Sequence, residues 1–383
     1  MASGSQISKI VLAFDSFKGS LTSLQAAAAA RQPILAETPG CEVVTVPVAD
    51  GGEGTAEAVA AAFPGQTSLV EVEAASPLGA PVTASYRVLP GRAAVVDIAS
   101  ASGLTLLKPQ ERDPMAASSR GTGQLIAHAM ANGCRKLIIG LGGSATCDAA
   151  TGILSALGYE FFDRDGAPVE PSGAALARMA RISDAGANPL LKKCRFTLAC
   201  DVSSPLLGPR GAARVYAPQK GATPAQVEEL EAGMGNFAAA LERKFGLDIT
   251  QIPGAGAAGG AAGTLRAALG AKIVPGIELV LDMARFDQII AGAQLIITGE
   301  GSIDSQTGLG KAVCGVVARA TRAGVPVVAL GGSVSGYDQL LNLGAKAVLS
   351  IQRGPVGLEQ AMLPSAAQAG VRYAVTQLIR LLK

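Results

Sequence analysis

Short apolar segments, each followed by a loop rich in glycine and acidic residues, recur along the chain. Lys9–Phe14 is followed by DSFKGS, and Glu42–Val48 is followed by DGGEGT. Each loop leads into an alanine-rich stretch that the pattern predicts to be helical, the first from about Ser23 and the second through Phe63. Buried strands that alternate with helices are typical of a parallel sheet covered by helices.

The pattern changes after Thr67, where apolar and polar residues alternate along Ser68–Ala74 and Val82–Leu89. This alternation, with the turn signal SPLGAP between the two segments, predicts antiparallel strands. The same reasoning predicts strands at Ala93–Ile98, Lys136–Leu141 and Arg195–Cys200, helices at Gly121–Asn132 and Thr223–Phe245, and a hairpin of Tyr159–Arg164 with Gly166–Val169.

The last hundred residues return to the opening pattern. Strands are predicted at Gln294–Thr298, Pro326–Leu330 and Ala345–Ile351, and helices at Lys311–Ala323 and Pro364–Leu382. Two strands at the amino terminus are too few for a domain, but joined with these three they make an open sheet.

We therefore predict an α/β fold with two α/β domains. The first domain is an open parallel Rossmann-like sheet made from both chain ends, residues 1–66 and 288–383. The second is a mixed α/β domain inserted at residues 67–287. A length of 383 residues is consistent with two hydrophobic cores rather than one.

Composition excludes several classes of function. The net charge is only +2 and no run of lysine and arginine stands out, which disfavours a nucleic-acid partner. The single histidine, His128, is not accompanied by a G-x-S-x-G motif, which disfavours a Ser-His-Asp hydrolase. No stretch reaches the roughly 20 apolar residues of a membrane helix, so no membrane partner is expected.

The six cysteines form no C-x-x-C pair, and neither a zinc site nor a redox motif is predicted. Cysteine this sparse in a long chain fits a reducing compartment, so we expect a cytoplasmic protein. The oligomeric state stays open, with a homo-oligomer as one option.

Five loops at predicted strand ends combine glycine with an acid, a lysine or a serine. They are Asp15–Ser20, Asp50–Thr55, Gly142–Asp148, Cys200–Asp201 and Thr298–Asp304, the last continuing through Gln306 and Thr307 to Gly310 and Lys311. Any one of them could simply end a strand or cap a helix. Caps alone do not require lysine and glutamate in the same loops, so the recurrence favours a ligand site beyond the carboxyl ends of the strands.

This mixture of residues suits phosphoryl transfer. Carboxylates hold Mg²⁺, backbone N–H groups of glycine-rich loops hold phosphate oxygens, and a lysine offsets their charge. Gly142–Thr146 is the best candidate for a phosphate loop, and Lys311 is a candidate phosphate contact. No base is identified near Ser144, so its hydroxyl is interpreted as a phosphate donor or a cap rather than a nucleophile.

Alternative functions rest on weaker patterns. The segment Ser305–Ala312 departs from the P-loop motif at two positions, which disfavours a P-loop NTPase. Residues 254–259 match G-x-G-x-x-G, so a dehydrogenase acting on hydroxy acids is a second hypothesis. A glycine-rich loop over nucleotide phosphates is favoured for this segment, and a plain loop into a helix at Ala261–Leu269 is the simplest alternative. A sugar-acid sensor without catalytic activity is a third hypothesis.

Several blocks of the sequence resemble a known family in the order in which that family has them. They include KIVLAFDSFKGSLTS, PVADGGEGTAEA, GLGGSATCDAATGILSALG, ACDVSSPLLGPRGAA, PGAGAAGG and ITGEGSIDSQTGLGKAVCG. Together they are similar to the bacterial glycerate kinase family of the glycerate 2-kinase type. The resemblance extends from about Lys9 to Ser333.

The resemblance implies ATP-dependent phosphorylation of glycerate, a requirement for Mg²⁺, and 2-phosphoglycerate as the usual product. It also implies two α/β domains with the active site in the cleft between them. The chain departs from the family pattern at Cys147, where asparagine is common, and at Ala149 and Ala150, where a glycine pair is usual.

Candidate residue roles follow from these blocks. We predict that Asp201, Asp304, Lys18, Asp15 and Lys311 are catalytic, and that Asp201 and Glu300 hold the metal. Binding of substrate and nucleotide is predicted for Ser16, Asp50, Gly51, Gly52, Glu53, Gly142, Gly143, Ser144, Lys220, Gly254, Gly256, Gly259, Gly299, Glu300 and Gly301. The substrate carboxylate needs a cation, for which Arg120, Lys220 and Lys18 are the candidates.

Overall fold

The structure is a computed structural model that describes residues 7–304 and 312–383. The strands are β1 (Lys9–Phe14), β2 (Glu42–Thr45), β3 (Ser68–Ala75), β4 (Pro81–Leu89), β5 (Ala93–Asp97), β6 (Lys136–Gly140), β7 (Glu160–Phe162), β8 (Arg181–Ser183), β9 (Arg195–Ala199), β10 (Lys272–Val274), β11 (Leu295–Ile303), β12 (Val327–Val334) and β13 (Ala347–Ser350).

The helices of the same residues are α1 (Ser23–Glu37), α2 (Thr55–Ala61), α3 (Ala99–Ser102), α4 (Arg120–Ala131), α5 (Thr151–Ala156), α6 (Ala212–Tyr216), α7 (Pro224–Phe245), α8 (Ala257–Leu269), α9 (Gly276–Met283), α10 (Phe286–Ile289), α11 (Ala312–Arg322), α12 (Asp338–Leu343), α13 (Leu358–Ala361) and α14 (Pro364–Leu382). Short 3-10 turns lie at Leu104–Leu106, Pro109–Glu111, Ala174–Ala177, Pro189–Lys193 and Pro218–Lys220.

Side chains at the helix ends explain where the main helices begin. Thr22 caps α1 and Thr223 caps α7, each through a reciprocal pair of hydrogen bonds with a glutamine three residues later. Pro224 occupies the first position of α7, where a missing N–H costs nothing. These local signals are the reason that both helices begin where the sequence predicts.

The chain forms two compact units. The first contains the described residues up to Asp50, residues Glu57–Ala62 and the described residues from Ile277 onward. The second contains Gly51–Ala56 and Phe63–Gly276. The predicted domain limits, 1–66 and 288–383 against 67–287, stay a prediction.

The first unit is built on a five-stranded parallel sheet in the order β13-β12-β11-β1-β2. Alternate residues of β1 enter two different cores. Ile10, Leu12 and Phe14 pack on the face covered by α1 and α14, while Val11 and Ala13 pack with residues of α9 and α11. This confirms the prediction of an open parallel sheet made from both chain ends and buried on both faces.

The second unit is built on a six-stranded mixed sheet in the order β10-β9-β6-β5-β4-β3. Strands β3, β4 and β5 pair antiparallel and the others pair parallel, as predicted for a mixed inserted domain. The predicted hairpin across residues 165–166 is present as a short turn. Phe162 bridges Pro168 in antiparallel fashion, the N–H of Asp163 donates to the carbonyl of Ala167 at 2.9 Å, and the N–H of Val169 donates to the carbonyl of Phe161 at 2.8 Å. The longer ladder of β7 is with β8, a partner that the sequence analysis did not predict.

No helix within residues 7–304 and 312–383 combines the length and the apolar character needed to cross a bilayer.

Candidate active site

The strand order of the first unit places a topological switch point between β1 and β11. From β1 the chain continues to β2 on one side, while β11, β12 and β13 follow one another on the other side. In open α/β sheets the crevice outside the carboxyl ends of strands at such a point is where ligands bind. Two of the five predicted loops, Asp15–Ser20 and Thr298–Asp304, begin at this point.

The loop after β1 is fixed by its own backbone. The N–H of Asp15 donates to the carbonyl of Gly299 at 2.9 Å, and the N–H of Ser16 donates to Asp15 Oδ1 at 2.6 Å. A tight turn follows, closed by a 2.8 Å hydrogen bond from Phe17 N–H to the carbonyl of Leu21. Gly301 in β11 lies beside this turn, where a Cβ would be at ordinary contact distance, 3.4 Å, from the backbone nitrogen of Lys18.

Strand β11 is longer than predicted. The predicted strand ended at Thr298, but Glu300 still pairs with Gly331 and Ile303 pairs with Val334. Strand β1 leaves the sheet opposite Gly299, while β12 continues beside β11. The expectation that Gly299, Glu300 and Gly301 form a loop is therefore wrong, since one neighbouring strand is enough to keep them extended. Glu300 gains a rigid position beside the end of β1.

Burial, with smaller contributions from the nearby charges of Asp50 and Glu300, raises the pKa of Asp15 to about 7. The hydrogen bond from the Ser16 N–H and the charge of Lys18 act in the opposite direction. Asp15 is 5% exposed and Glu300 is 7% exposed. Three carboxylates thus share one small region, and their mutual repulsion makes a cation favourable there.

These residues line a cavity of about 680 Å³ in the first unit. Its polar half is formed by Asp15, Lys18, Asp50, Glu300, Ser302 and Ser333. Ser333 Oγ donates to Ser302 Oγ at 2.9 Å, and Ser302 Oγ donates to Asp304 Oδ2 at 3.4 Å. Ser302 and Ser333 were missed as candidates, although each is the next-to-last residue of its strand, β11 or β12.

The DGGEGT segment lies over the second sheet. The N–H of Gly142 donates to the carbonyl of Gly51 at 3.0 Å, and a Cβ on Gly51 would lie 2.7 Å from the carbonyl oxygen of Ala199. Gly52 lies so close to Gly142 that no side chain fits on Gly142. These glycines are required by close backbone approach, and Glu53 is exposed.

Asp97, at the end of β5, was not among the predicted site residues. Its carboxylate accepts hydrogen bonds from the N–H of Gly54 at 3.1 Å and of Ala56 at 3.2 Å. It therefore stabilises the first turn of α2 and holds the preceding segment in place. An acid one residue before the end of the predicted strand Ala93–Ile98 was the available signal.

Lys220 lies beneath the Gly142–Thr146 loop. Its Nζ donates to Ser144 Oγ at 2.9 Å and to the carbonyl of Thr146 at 2.7 Å, and the residue is 3% exposed. Burial lowers the pKa of Lys220. The interpretation that Ser144 has no lysine nearby is wrong, because its partner lies 76 residues away in sequence. In this position the ammonium group holds the loop rather than facing solvent.

The predicted phosphate loop uses some of its own donors internally. The N–H of Ala145 donates to the carbonyl of Ser102 at 2.8 Å, and Gly142 is bonded as described above. Gly143, with φ of 76°, is the exposed point of the loop. Of the residues predicted here, Gly143 is therefore the one that lies open to solvent.

Asp148 is completely buried and ties two helices together. Its Oδ2 accepts from the N–H of Ser119 at 2.7 Å, from Ser119 Oγ at 2.8 Å and from the N–H of Gly152 at 3.1 Å. Burial raises its pKa, and the hydrogen bonds oppose this effect. The two alanines that follow, Ala149 and Ala150, have φ of 47° and 56°, which explains why glycine is usual at these positions in the family.

The G-x-G-x-x-G segment is a packing element of the second unit. Gly254, Gly256 and Gly259 are buried, and residues 247–256 contain no strand. A side chain on Gly256 would overlap the carbonyl of Pro205, and one on Gly259 would overlap the carbonyl of Thr146. Regular helix in α8 begins only after Gly260, because residues 258–260 have left-handed φ. The dehydrogenase hypothesis loses its structural context, since no strand precedes the glycines.

The remaining candidates are distributed as follows. Asp201 follows β9 in the second unit, and its Oδ1 accepts from the N–H of Gly276 at 2.9 Å, at the start of α9. Arg120 forms a surface ion pair, in which its Nη1 lies 3.6 Å from Glu170 Oε2. Lys311 lies outside the described residues, and so do Gln306, Thr307 and Gly310.

Comparison with known proteins agrees with this architecture. A model of the glycerate kinase family matches residues 10–383. The chain is 42% identical to a glycerate kinase of Halalkalibacterium halodurans, over 92% of this chain and 93% of that protein. It is 41% identical to glycerate 2-kinase of Escherichia coli K12, over 85% and 86% of the two chains.

A solved structure extends the comparison to the whole fold. The crystal structure of a Salmonella typhimurium LT2 protein assigned as glycerate kinase 2 superposes with a TM-score of 0.84. The match covers 98% of both chains at 39% identity. With a family model over nearly the full length and relatives above 40% identity, this chain belongs to the glycerate kinase family.

Proposed function

We propose that this chain transfers the γ-phosphoryl group of ATP to the C2 hydroxyl of (R)-glycerate, forming 2-phosphoglycerate with Mg²⁺ as cofactor. Membership of the family makes it a kinase, and the name glycerate 2-kinase of the Escherichia coli relative supports the position of transfer. The observation that carries the proposal is the group of Asp15, Asp50, Glu300 and Lys18 around the switch point.

Asp15 is the best candidate for the base. A general base works best when its pKa lies near the operating pH, and the pKa of Asp15 is raised to about 7. Its carboxylate can accept the proton of the attacking hydroxyl as the bond to phosphorus forms. Asp201 and Asp304 remain proposed catalytic residues, with Asp201 also a proposed metal ligand.

Lys18 supplies a cation at the same cavity. Its side chain is exposed and its charge acts on Asp15, so it lies close enough to contact a phosphate beside that carboxylate. A lysine in this position offsets negative charge on the transferred group. Ser302 and Ser333 add hydroxyl donors at the polar half of the cavity. Lys311 remains a proposed phosphate contact.

The residues present fit Mg²⁺. No three His, Cys, Asp or Glu side chains of residues 7–304 and 312–383 could enclose a metal by themselves. Mg²⁺ usually takes one or two protein carboxylates together with phosphate oxygens and water, and it offsets phosphate charge when bound. Glu300 and Asp50 are the carboxylates of the first unit that would hold it, and relief of the repulsion on Asp15 supports this choice.

A cytoplasmic location is part of the proposal, because Mg·ATP is the proposed donor. It also agrees with six cysteines that form no disulfide in the described chain.

Phosphorus NMR of a reaction with Mg·ATP and (R)-glycerate tests the proposal directly. We expect a 2-phosphoglycerate signal that grows with ADP. A 3-phosphoglycerate signal would keep the kinase and overturn the position of transfer. Unchanged ATP in the presence of folded protein would reject glycerate as the substrate.

A further inference from the structure

The cavity of the first unit has an apolar half that the proposed phosphate chemistry does not use. Its wall contains Ile351, Pro355, Val356, Leu358, Met362 and Ala367. These residues come from the end of β13, from the segment that includes α13, and from α14. One cavity therefore joins a charged end, around Asp15 and Glu300, to a hydrocarbon end.

The cavity is larger than a molecule of glycerate. A volume of about 680 Å³ lies within the range of about 300–1,000 Å³ that is usual for sites of larger organic ligands. A three-carbon acid would leave most of this volume empty. The second substrate of a kinase, a nucleotide, is the larger of the two.

The residues that line the cavity follow the order of the strands, from the charged end at β1 to the apolar end at β13. Asp15 follows β1, Glu300 and Ser302 lie in β11, Ser333 lies in β12, and Ile351 follows β13. Neighbouring strands are about 4.8 Å apart, so β1 and β13 are separated by roughly 14 Å. An elongated ligand with phosphates at one end and a flat apolar group at the other matches this order.

The apolar wall is exposed to solvent. Leu358 is 74% exposed, Val356 is 47% exposed and Met362 is 38% exposed, although all three line the cavity. Clustered apolar side chains with this exposure mark a surface that gains stability when a ligand covers it. The thioether of Met362 is also suited to contact with an aromatic ring.

Gln352 adds a polar group to this end. Its Nε2 donates to the carbonyl of Gly332 at 3.2 Å, which fixes the side chain at the cavity wall. The amide also carries an acceptor oxygen and a second N–H. A glutamine amide can pair with the N6 and N7 positions of adenine, as it does in nucleic-acid recognition.

We propose that the apolar half of this cavity binds the purine base of the nucleotide, with the phosphates directed toward the polar half. The proposal rests on the proposed function, because it takes ATP as the phosphoryl donor. It goes further by assigning the base to Val356, Leu358 and Met362, with Gln352 as the polar contact. None of these residues belongs to the sequence blocks through which the family was identified.

Calorimetric titration of the full chain with ATP and with inorganic tripolyphosphate, both with Mg²⁺, tests the proposal. The variant is the double substitution Leu358→Asn and Met362→Gln, which is neutral and therefore leaves the charge near the phosphates unchanged. We expect its Kd for ATP to rise about tenfold or more, since the base loses its apolar contacts. The Kd for tripolyphosphate should stay within about twofold. The control is Leu381→Asn, at a leucine that is 84% exposed near the end of α14 and should change neither value.

The outcomes separate this proposal from the proposed function. If the double variant binds ATP as tightly as the wild type, the base binds elsewhere and the proposal is overturned, even where glycerate is phosphorylated. If ATP binding is lost selectively but the wild type does not phosphorylate glycerate, the base site stands and the proposed function fails. A wild type that binds tripolyphosphate as tightly as ATP, or binds no ATP, overturns the proposal.

Discussion

Lys18 and Lys220 lie in similar sequence surroundings but in opposite environments. Each is followed directly by a glycine, and both were candidates for contact with substrate. Lys18 is exposed at an open cavity whose carboxylates repel one another. Lys220 is buried and bonded to Ser144 and to the Thr146 carbonyl. A lysine beside a glycine can therefore face a ligand site or stabilise its own loop. The hydrogen bonds of its ammonium group, and not the local sequence, distinguish the two cases.

The largest expected effect is on catalysis at the cavity of the first unit. Asp15→Asn removes the proposed base while keeping the size of the side chain, so turnover should fall by about 10²–10⁴-fold. In the wild type, kcat/KM should rise with pH until about 7, as the Asp15 carboxylate forms. A coupled assay of ADP release across pH measures both.

Asp338→Asn is the matched control, because Asp338 is an exposed acid of the same unit at the start of α12. It should leave both turnover and the pH profile unchanged. Turnover of Asp15→Asn within a few-fold of the wild type would remove Asp15 as the base and leave Asp201 and Asp304 as the candidates.

The next effect is on the free energy of unfolding, through the ionisation of Asp15. The pKa of Asp15 is raised from 3.8 to about 7, so the folded state holds its proton where the unfolded state has lost it. The free energy of unfolding should therefore fall as pH rises from about 4 to about 7, by about 4 kcal/mol from this group when Mg²⁺ is absent. Asp15→Asn cannot ionise and should be more stable than the wild type at pH 8.

Urea unfolding at pH 4.5 and pH 8 without Mg²⁺ measures this difference, with Asp338→Asn again as the control. The gain of Asp15→Asn should be small at the lower pH and largest at the higher pH. An equal effect at both pH values would mean that burial does not disfavour the Asp15 carboxylate.

A third effect separates the two lysines. Lys220→Met removes the donor to a buried carbonyl and should lower the free energy of unfolding by about 2 kcal/mol. Lys18→Met should leave stability within about 0.5 kcal/mol, as expected for an exposed side chain, and should instead raise the KM for ATP. Urea unfolding and steady-state kinetics on both variants make the comparison.

The reverse pattern would change the assignment. If Lys220→Met kept its stability but lost affinity for glycerate, Lys220 would be the carboxylate clamp that the sequence analysis included among its candidates. If Lys18→Met changed neither KM nor kcat, the cation at the open site would lie elsewhere.

The smallest effect tests backbone strain at the start of α5. Ala150 has φ of 56°, which costs a non-glycine residue about 1–2 kcal/mol, so Ala150→Gly should raise stability by up to about 1 kcal/mol. Ala145, in the preceding Gly142–Asp148 loop, has no left-handed φ, and Ala145→Gly should lower stability by about 1 kcal/mol. Thermal unfolding measures both, and a loss in both variants would contradict the strain argument.

The sequence predicted more of the fold than of the site. Alternating apolar patterns and helix caps such as Thr22 and Thr223 are local, and they placed the main strands and helices correctly. The end of β11 cannot be predicted from the local sequence, because it depends on β12 continuing to pair with β11 after β1 has left the sheet. The pairing of Lys220 with Ser144 and the position of Ser333 beside Ser302 depend on folding in the same way.

The roles of several glycines also could not be predicted from the local sequence. Gly256 and Gly259 resemble a phosphate-binding motif, yet close contact with other backbone segments accounts for them. Gly299 resembles an ordinary loop residue, yet a Cβ there would overlap the carbonyl oxygen of Leu330 in β12. The residue type is the same in each case, and the neighbour that requires it is not encoded nearby.

The five-stranded sheet also constrains how the protein is made. During synthesis β1 and β2 emerge first, but β1 lacks its partner β11 until the whole inserted segment has been translated. The long separation between Ile10 and Leu295 makes this pairing entropically costly and slow to form. The inserted unit can complete its own core first. A nascent chain released before β11 would therefore carry an apolar strand, β1, with one edge unpaired, which makes truncated products of this chain prone to aggregation.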